Sequence, residues 1–498
     1  MQTRRDQVQA HQFVVSRLTT GLLRADPDAP ETPTRRTNRG IAVGALLGAV
    51  ACVGALVFGL VSPGGNTSWR NGQTLIVEKG TGTRYLYDGR LRPVRNYASA
   101  RLIVGNDMKT QSVSPKSLAG TPHGEPVGIA GAPDALPSAA DLDAGPWAVC
   151  AGTQPTDSGS RAPATSVVVD SDVPGTGVRG DQALLVSGPD DSYFLVWRSN
   201  RFKLAAGSTT ADALGYGAAK PLPVSAAFLD ALPAGADLAP PPVPGQGDDG
   251  PRLDGSPTRI GQVFVVQTPG SSKQYYLLQH AGLTPITTTE AALALSGPGV
   301  REKAYKGGTP VALPVSADAL SAAPAPEGSP LPEAGATPPA APPALVPVDD
   351  NRSICVRIAA QAASGTRVSL VMVASADLVA TAVTPTTALV QACLAVDVIA
   401  VPPDGGSLVR ALGSAGGAMG DTTYLVTDTG VKYRISSREA AEALGYDLTA
   451  ARGVPSPLLN MLPTGPDLSR EAASASVDNA SGVPVCAQEP AGGRPART

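Results

Sequence analysis

The chain has 498 residues, enough for two to four ordinary domains. Gly and Pro make up about a fifth of it, against a usual share of roughly 12%, and aromatics only 4%, so its cores must rest on Val, Leu, Ala and Ile. A net charge of −3 gives no electrostatic case for nucleic acid as a partner.

The first predicted element is a helix over Arg4 to Arg24, in RRDQVQAHQFVVSRL and the residues after it. Val8, His11, Val15, Leu18 and Leu22 recur at spacings of three and four, which puts them on one face. Asp6 suits the positive end of the helix dipole, and Asp26-Pro27 stops the pattern because a residue before proline avoids helical geometry. A lone amphipathic helix must cover its apolar face with a partner protein, a membrane surface or another copy. The polar face is weakly basic, which favours protein over lipid. His11 has no His or Cys neighbour and reads as an interface residue rather than a ligand.

The second element, GIAVGALLGAVACVGALVFGLV, runs from Gly40 to Val61 without a charge. It is long enough for a bilayer core of about 30 Å and longer than the apolar part of a signal peptide. Arg35, Arg36 and Arg39 precede it and only Arg70 follows closely, so the N-terminus is expected inside and the bulk outside. Gly40, Gly44, Gly48, Cys52, Ala55 and Gly59 form a small-residue stripe suited to close packing against a second membrane helix.

Beyond the span four stretches share one grammar, opening at Tyr85, Tyr193, Tyr275 and Tyr424. Each has an aromatic–aliphatic strand, a turn and a second strand. The expected turns are Asp88-Gly89, Ser199-Asn200, Ala281-Gly282 and Thr429-Gly430. A Ser- or Thr-led Ala/Leu helix follows, as in TTADALGY, TTEAALAL and SREAAEALGY, with Ser436 or Ser437 as the last cap. A proline-led segment such as LPVSAAFL closes the unit. One such unit cannot bury a core alone, so the copies must pack on one another or on a common centre. Two β-rich blocks, around PWAVC and around SICVRIAA, read as that centre, split in sequence. Units one and four then fall toward one end and units two and three toward the other.

The fold class is thus β-rich α+β: a cytosolic helix, one membrane span, and an outer part of four ββα-type repeats around a split β centre. The divisions are 1–39 inner helix, 40–61 span, 74–140 first repeat, 141–180 first central part, 181–240 second repeat and 258–332 third repeat. They continue as 333–348 proline-rich linker, 349–415 second central part, 416–475 fourth repeat and 476–498 tail. The proline-rich stretches 238–257 and 321–348 are expected as surface loops. Four cysteines lie outside: Cys150, Cys355, Cys393 and Cys486, allowing three pairings. If the two β blocks form one domain, Cys150 and Cys355 are natural partners, leaving Cys393 with Cys486 by elimination.

RRDQVQAHQFVVSRL, the single apolar helix, TGTRYLYDG, LRPVRNYASARL and PWAVC together resemble EccB, a membrane component of the actinobacterial type VII (ESX) secretion system. The resemblance runs in order along the whole chain. It implies an inner-membrane complex with an EccC-type ATPase, EccD and EccE, contacts from the inner segment to those subunits, self-association in a larger ring, and an elongated, propeller-like outer domain. It also implies a Cys150–Cys355 disulfide.

Three function classes compete. A structural secretion subunit fits every element. An ATPase, a label sometimes given to this family, needs a phosphate cradle such as GxxxxGK[ST], and the sequence contains none. Peptidoglycan binding is the third, since repeated outer modules often serve it. No catalytic, cofactor or metal residues are assigned: His123 and His280 stand without a G-x-S-x-G elbow or an HExxH helix.

Overall fold

The computed structural model describes residues 4–25, 33–61, 67–142, 145–155, 161–267, 270, 272–322, 337–361, 365–378, 382–383, 390–413 and 418–475. The tail 476–498, with Cys486, lies outside them, as does Asp26-Pro27.

The N-terminal helix spans Arg4–Arg24. A second helix, Pro33–Val61, begins seven residues before the apolar run, because nothing in TRRTNR interrupts it and Pro33 is favourable in a first helical turn. Its window Thr37–Val57 is long and apolar enough to cross a membrane, and no part of that window is buried inside the chain.

Four separate sheets follow one plan. The first holds Thr74–Glu78, Arg84–Tyr87, Leu91–Pro93 and Lys109–Val113, ordered third, second, first, fourth. The first three strands form an antiparallel meander, and the helix Tyr97–Val104 returns the chain so that the fourth strand pairs in parallel with the first. The same order recurs for Gln182–Ser187, Tyr193–Trp197, Asn200–Lys203 and Leu222–Pro223. It recurs again for Val263–Val266, Gln274–Gln279, Gly282–Ile286 and Leu313–Pro314, and for Gly406–Leu412, Ala418–Thr427, Lys432–Ile435 and Arg452–Pro455. The crossover helices carry local stop-and-start signals. Asn96 accepts from Ser99 N, Ser437 from Ala440 N, and Thr287 forms a capping box with Glu290.

Several sequence expectations shift. The second hairpin turns at Arg198-Ser199, both with positive φ (45° and 62°), not at Ser199-Asn200. That conformation matches strand twist, and Asn200 opens the next strand with its Nδ2 donating to Arg198 O at 3.0 Å. The third turn is His280-Ala281, and Gly282 (φ 124°) is already paired with Gln279. Gly406–Leu412, assigned from sequence to the central part, pairs instead with Ala418–Thr427 in the fourth sheet. An apolar run does not reveal its partner. Nor are the proline-rich stretches only loops. Leu238 and Leu253 are buried, and Ala344–Leu345 joins the second sheet beside Gln182–Ser187. Extended proline-framed backbone can add to a sheet edge while its aliphatic side chains reach the core.

The central sheet has seven strands, ordered Ala382–Val383, Val398–Ala400, Arg161–Val168, Trp147–Pro155, Arg352–Gln361, Gly365–Ala374 and Thr176–Gly177. Both β blocks contribute. One face, with Trp147, Val149, Ile354 and Val356, shares a core with Val186 and Phe228 of the second sheet's region and with Val409 and Leu458 of the fourth's. The first sheet's helix packs on the fourth's through Ala98, Leu102, Ala440 and Leu444. The third joins the second through Leu293, which lies with Leu195, Leu204 and Leu214. The sequential contacts are therefore first, fourth, centre, second, third. No sheet among the described residues closes on itself.

Candidate membrane and docking surfaces

On the N-terminal helix Val8, His11, Val15, Leu18 and Leu22 are all exposed, Leu22 by 82%. Val14 is exposed at the border of that face, and Phe13 is exposed on the opposite side of the helix. The signal for them was present, since Phe13-Val14-Val15 is a continuous apolar run, but a three–four template passes over it. Arg17 lies 6.0 Å from the Phe13 ring centroid, so its cation rests over that ring on the far side of the helix. Val8, His11, Val14, Val15, Leu18 and Leu22 thus share one side of this 21-residue helix and form a surface that water disfavours.

The membrane-length helix presents the same condition. A Cβ added at Gly40, Gly44 or Gly48 would meet nothing within 4 Å, so no other part of the chain covers the stripe there. Cys52 is exposed and its thiol is free. Ala55 and Gly59 continue the helix toward Val61. Leu46, Leu47, Val50 and Val53 are exposed as well, as a lipid-facing helix requires.

Outside, Cys150 and Cys355 are joined across directly paired antiparallel positions of Trp147–Pro155 and Arg352–Gln361. Both are buried, and 205 residues separate them in sequence. The bond ties the two sequence halves of the central sheet together. In the chain-entropy account such a loop contributes up to ~5 kcal/mol. Cys393 also takes part in a disulfide; Cys486, its expected partner, lies outside the described residues.

Titratable groups in the interior serve packing. Tyr446 OH donates to Pro137 O and Tyr216 OH to Pro343 O, each at 2.8 Å, and burial raises both phenols above their ordinary range. Lys432 is buried, and its Nζ donates to Leu459 O and Leu462 O. Burial lowers it to about 8. Among the described residues no group of three or more His, Cys, Asp or Glu side chains is placed to hold a metal. His123 lies edge-on to Tyr85 and His280 beside Asp248, far apart in sequence and in different sheets' surroundings.

One membrane-length apolar helix among the described residues, a bare amphipathic helix and a large sheet-rich body are the marks of a membrane-anchored component of an assembly. The chain belongs to the family described as type VII secretion system ESX-1, transport TM domain B (EccB), whose model matches residues 1–481. It is 29% identical over 486 residues to the ESX-5 secretion system ATPase EccB5 of Mycobacterium tuberculosis, covering 94% of this chain and 92% of that one. It is also 29% identical to the ESX-3 secretion system ATPase EccB3 of Mycolicibacterium smegmatis, with 97% and 92% covered. A chain in the structure of an intact ESX-5 inner membrane complex matches with a TM-score of 0.62 at 25% identity, over 98% of both chains. A chain in the structure of an EccB3 dimer from the ESX-3 core complex matches with a TM-score of 0.61 at 26% identity, over 80% of this chain and 99% of that one.

Proposed function

We propose that this chain is a structural subunit of a type VII (ESX) inner-membrane complex, linking cytosolic partners to an outer assembly during protein export. The observation that carries it is the pair of uncovered surfaces, on Arg4–Arg24 and along Gly40 to Ala55, in a chain of the EccB family. The N-terminus lies in the cytoplasm and the sheets outside, by the charge flanking the span. Val8, His11, Val15, Leu18 and Leu22 dock the cytosolic parts of an EccC-type ATPase, EccD or EccE, and the glycine stripe packs a neighbouring membrane helix. The four like-ordered sheets act as copies of one unit within the divisions set out above, with Gly406–Leu412 moved to the fourth, in an elongated, propeller-like row, and Cys393 pairs with Cys486.

Relatives carry the word ATPase in their names. We assign nucleotide hydrolysis to the EccC-type partner, because this sequence lacks a GxxxxGK[ST] phosphate loop. The test is a gentle detergent purification of the tagged chain with mass spectrometry of what accompanies it. Val15→Asp with Leu18→Asp should lose the cytosolic partners while membrane insertion persists. Retention of every partner, or labelling that places both termini in one compartment, refutes the reading.

A further inference from the structure

We propose that the first sheet rests on the bilayer, its edge strand Lys109–Val113 and the surrounding cations contacting anionic phospholipid headgroups. The proposal rests on the reading of Thr37–Val57 as a membrane span.

Three observations converge. The first is reach. Trp69 is fully buried in the core of the first sheet, with Ile76, Leu91, Val113 and Leu118, only eight residues beyond Val61. Eight extended residues cover at most about 28 Å, so this sheet cannot leave the membrane's vicinity. The second is where the chain enters. Ser68 exchanges side-chain hydrogen bonds with Gln111 at 3.1–3.3 Å, so the polypeptide arriving from the membrane lands on the exposed edge strand itself.

The third is charge. Residues 67–142 carry nine basic and six acidic side chains, whereas residues 143–498 carry 23 basic and 32 acidic. The basic surplus therefore sits in the membrane-near unit of an otherwise acidic body. Arg70, Lys79, Lys109 and Lys116 are exposed, and none makes an ion pair among the described residues. They gather at the entry edge. Lys79 N donates to Val113 O, Lys109 N to Gln73 O, and Arg70 Nη2 to Thr121 Oγ1 just past the helix Pro115–Leu118 that carries Lys116. Among the carboxylates of this unit, Glu78 accepts from Thr81 and Tyr85 and keeps its charge, and Asp107 and Glu125 are exposed, so the nine basic groups still exceed the six acidic ones by three. Basic groups held within a Debye length of an anionic surface are drawn to it, and an acidic remainder is pushed away. Together these orient the body.

The full-length protein is reconstituted in nanodiscs of phosphatidylcholine alone or of equal phosphatidylcholine and phosphatidylglycerol, and amide hydrogen exchange is followed. Amides of residues 109–121 should exchange at least about threefold more slowly in the anionic discs at low salt, and 0.5 M salt should erase the difference. Lys79→Glu, Lys109→Glu and Lys116→Glu together should abolish it without changing the fourth sheet. The milder Lys109→Gln with Lys116→Gln should reduce it by about half. Equal exchange in the two discs overturns the proposal while the span stands. Protection that survives in the triple variant also overturns it. A chain that fails to enter discs overturns the span and this proposal together.

Discussion

The first and fourth sheets meet much as the third and second do, and the difference lies in what fills the joint. After the first sheet the chain crosses to the fourth, where Leu142 bridges Gly406 in parallel and Pro137 O accepts from Tyr446. After the third it crosses to the second, where Ala344 pairs in parallel with Gln182 and Pro343 O accepts from Tyr216. Both tyrosines end a Leu-Gly-Tyr at the close of a crossover helix. The strap is therefore one device used twice. Between the helices the two joints diverge. In the first–fourth joint Arg101 Nη2 donates to Leu444 O, while Arg470 donates to Leu102 O and Ile103 O at 3.1 and 3.3 Å. Each arginine thus covers the carbonyl end of the other sheet's helix, where a cation is favoured. In the second–third joint the described residues show no such crossing arginine, and Leu293 enters an apolar cluster instead. A shared backbone plan can be closed by packing with polar caps added, as at Ala98, Leu102, Ala440 and Leu444, or by packing without them.

The largest effect should come from the apolar joint. Leu293→Ala should cost about 2–5 kcal/mol locally. Its signature is lost hydrogen-exchange protection in Thr288–Leu295 and Ser208–Ala213, with the first and fourth sheets unchanged. Equal loss at both ends would mean the joints are one cooperative body, and the comparison would fail. Next comes the polar joint: Arg101→Ala with Arg470→Ala should cost roughly 2–3 kcal/mol, since charge-assisted bonds to carbonyls are each worth about 1.5–3 and both groups are partly solvated. This loss should appear in Tyr97–Val104 and Arg438–Leu444 and grow little with added salt, because the acceptors are neutral. Smaller again are the straps. Tyr446→Phe and Tyr216→Phe should each cost about 1–2 kcal/mol by leaving a buried proline carbonyl unmet. If the strap is one device, the two losses should agree within about 0.5 kcal/mol in denaturant unfolding followed by exchange at each end.

Local chemistry was the legible part of this molecule. The Arg4–Arg24 helix, the apolar span, the four hairpins and a cap at Ser436 or Ser437, which the fold resolves to Ser437, could be read from periodicity, charge and side-chain oxygens that act within a few residues; Thr287, one residue ahead of TTEAALAL, was not singled out. The pairing of Cys150 with Cys355 followed from seeing two Val/Ile blocks as one sheet, and they are register partners in it. What could not be read was long-range. Val263–Val266 is a plain apolar run, and nothing local says that it pairs with the proline-led Leu313–Pro314 in parallel. The straps at Pro137 and Pro343 look like loop composition, and only the distant Tyr446 and Tyr216 give them a place. The surfaces were legible for a related reason: an apolar face with no partner in the chain is visible before folding is known. Val14, at the border of that face, was missed because the template was too narrow, and Phe13 because it lies on the other side of the helix.

One equivalent position separates the two sheets that flank the centre. In the second, Arg201 bridges Ala234 and pairs with Asp230 at 2.9 Å. In the fourth, Lys432 bridges Thr464 in the same way, but Asn460 occupies the helix position corresponding to Asp230. The outer sheets carry Leu91 and Leu283 there. Lys432 therefore has carbonyl oxygens where Arg201 has a carboxylate, and burial lowers its ammonium from 10.5 to about 8. Between those pH values the unfolded chain binds the proton and the folded chain sheds it, so stability rises with pH from about 8 to about 10.5. Below about 8 both states are charged and the penalty is fully present. Its ceiling is about 3 kcal/mol at 1.36 kcal/mol per pH unit, less what the two carbonyls return. Asn460→Asp supplies the missing anion, and should stabilise the fourth sheet near pH 7 by about 1 kcal/mol and flatten the rise above pH 8. Hydrogen exchange in Lys432–Ile435 across that pH range, corrected for intrinsic rates, reads both effects. A slope unchanged by the carboxylate would mean that the lysine's neighbours, not its missing partner, distinguish these two sheets.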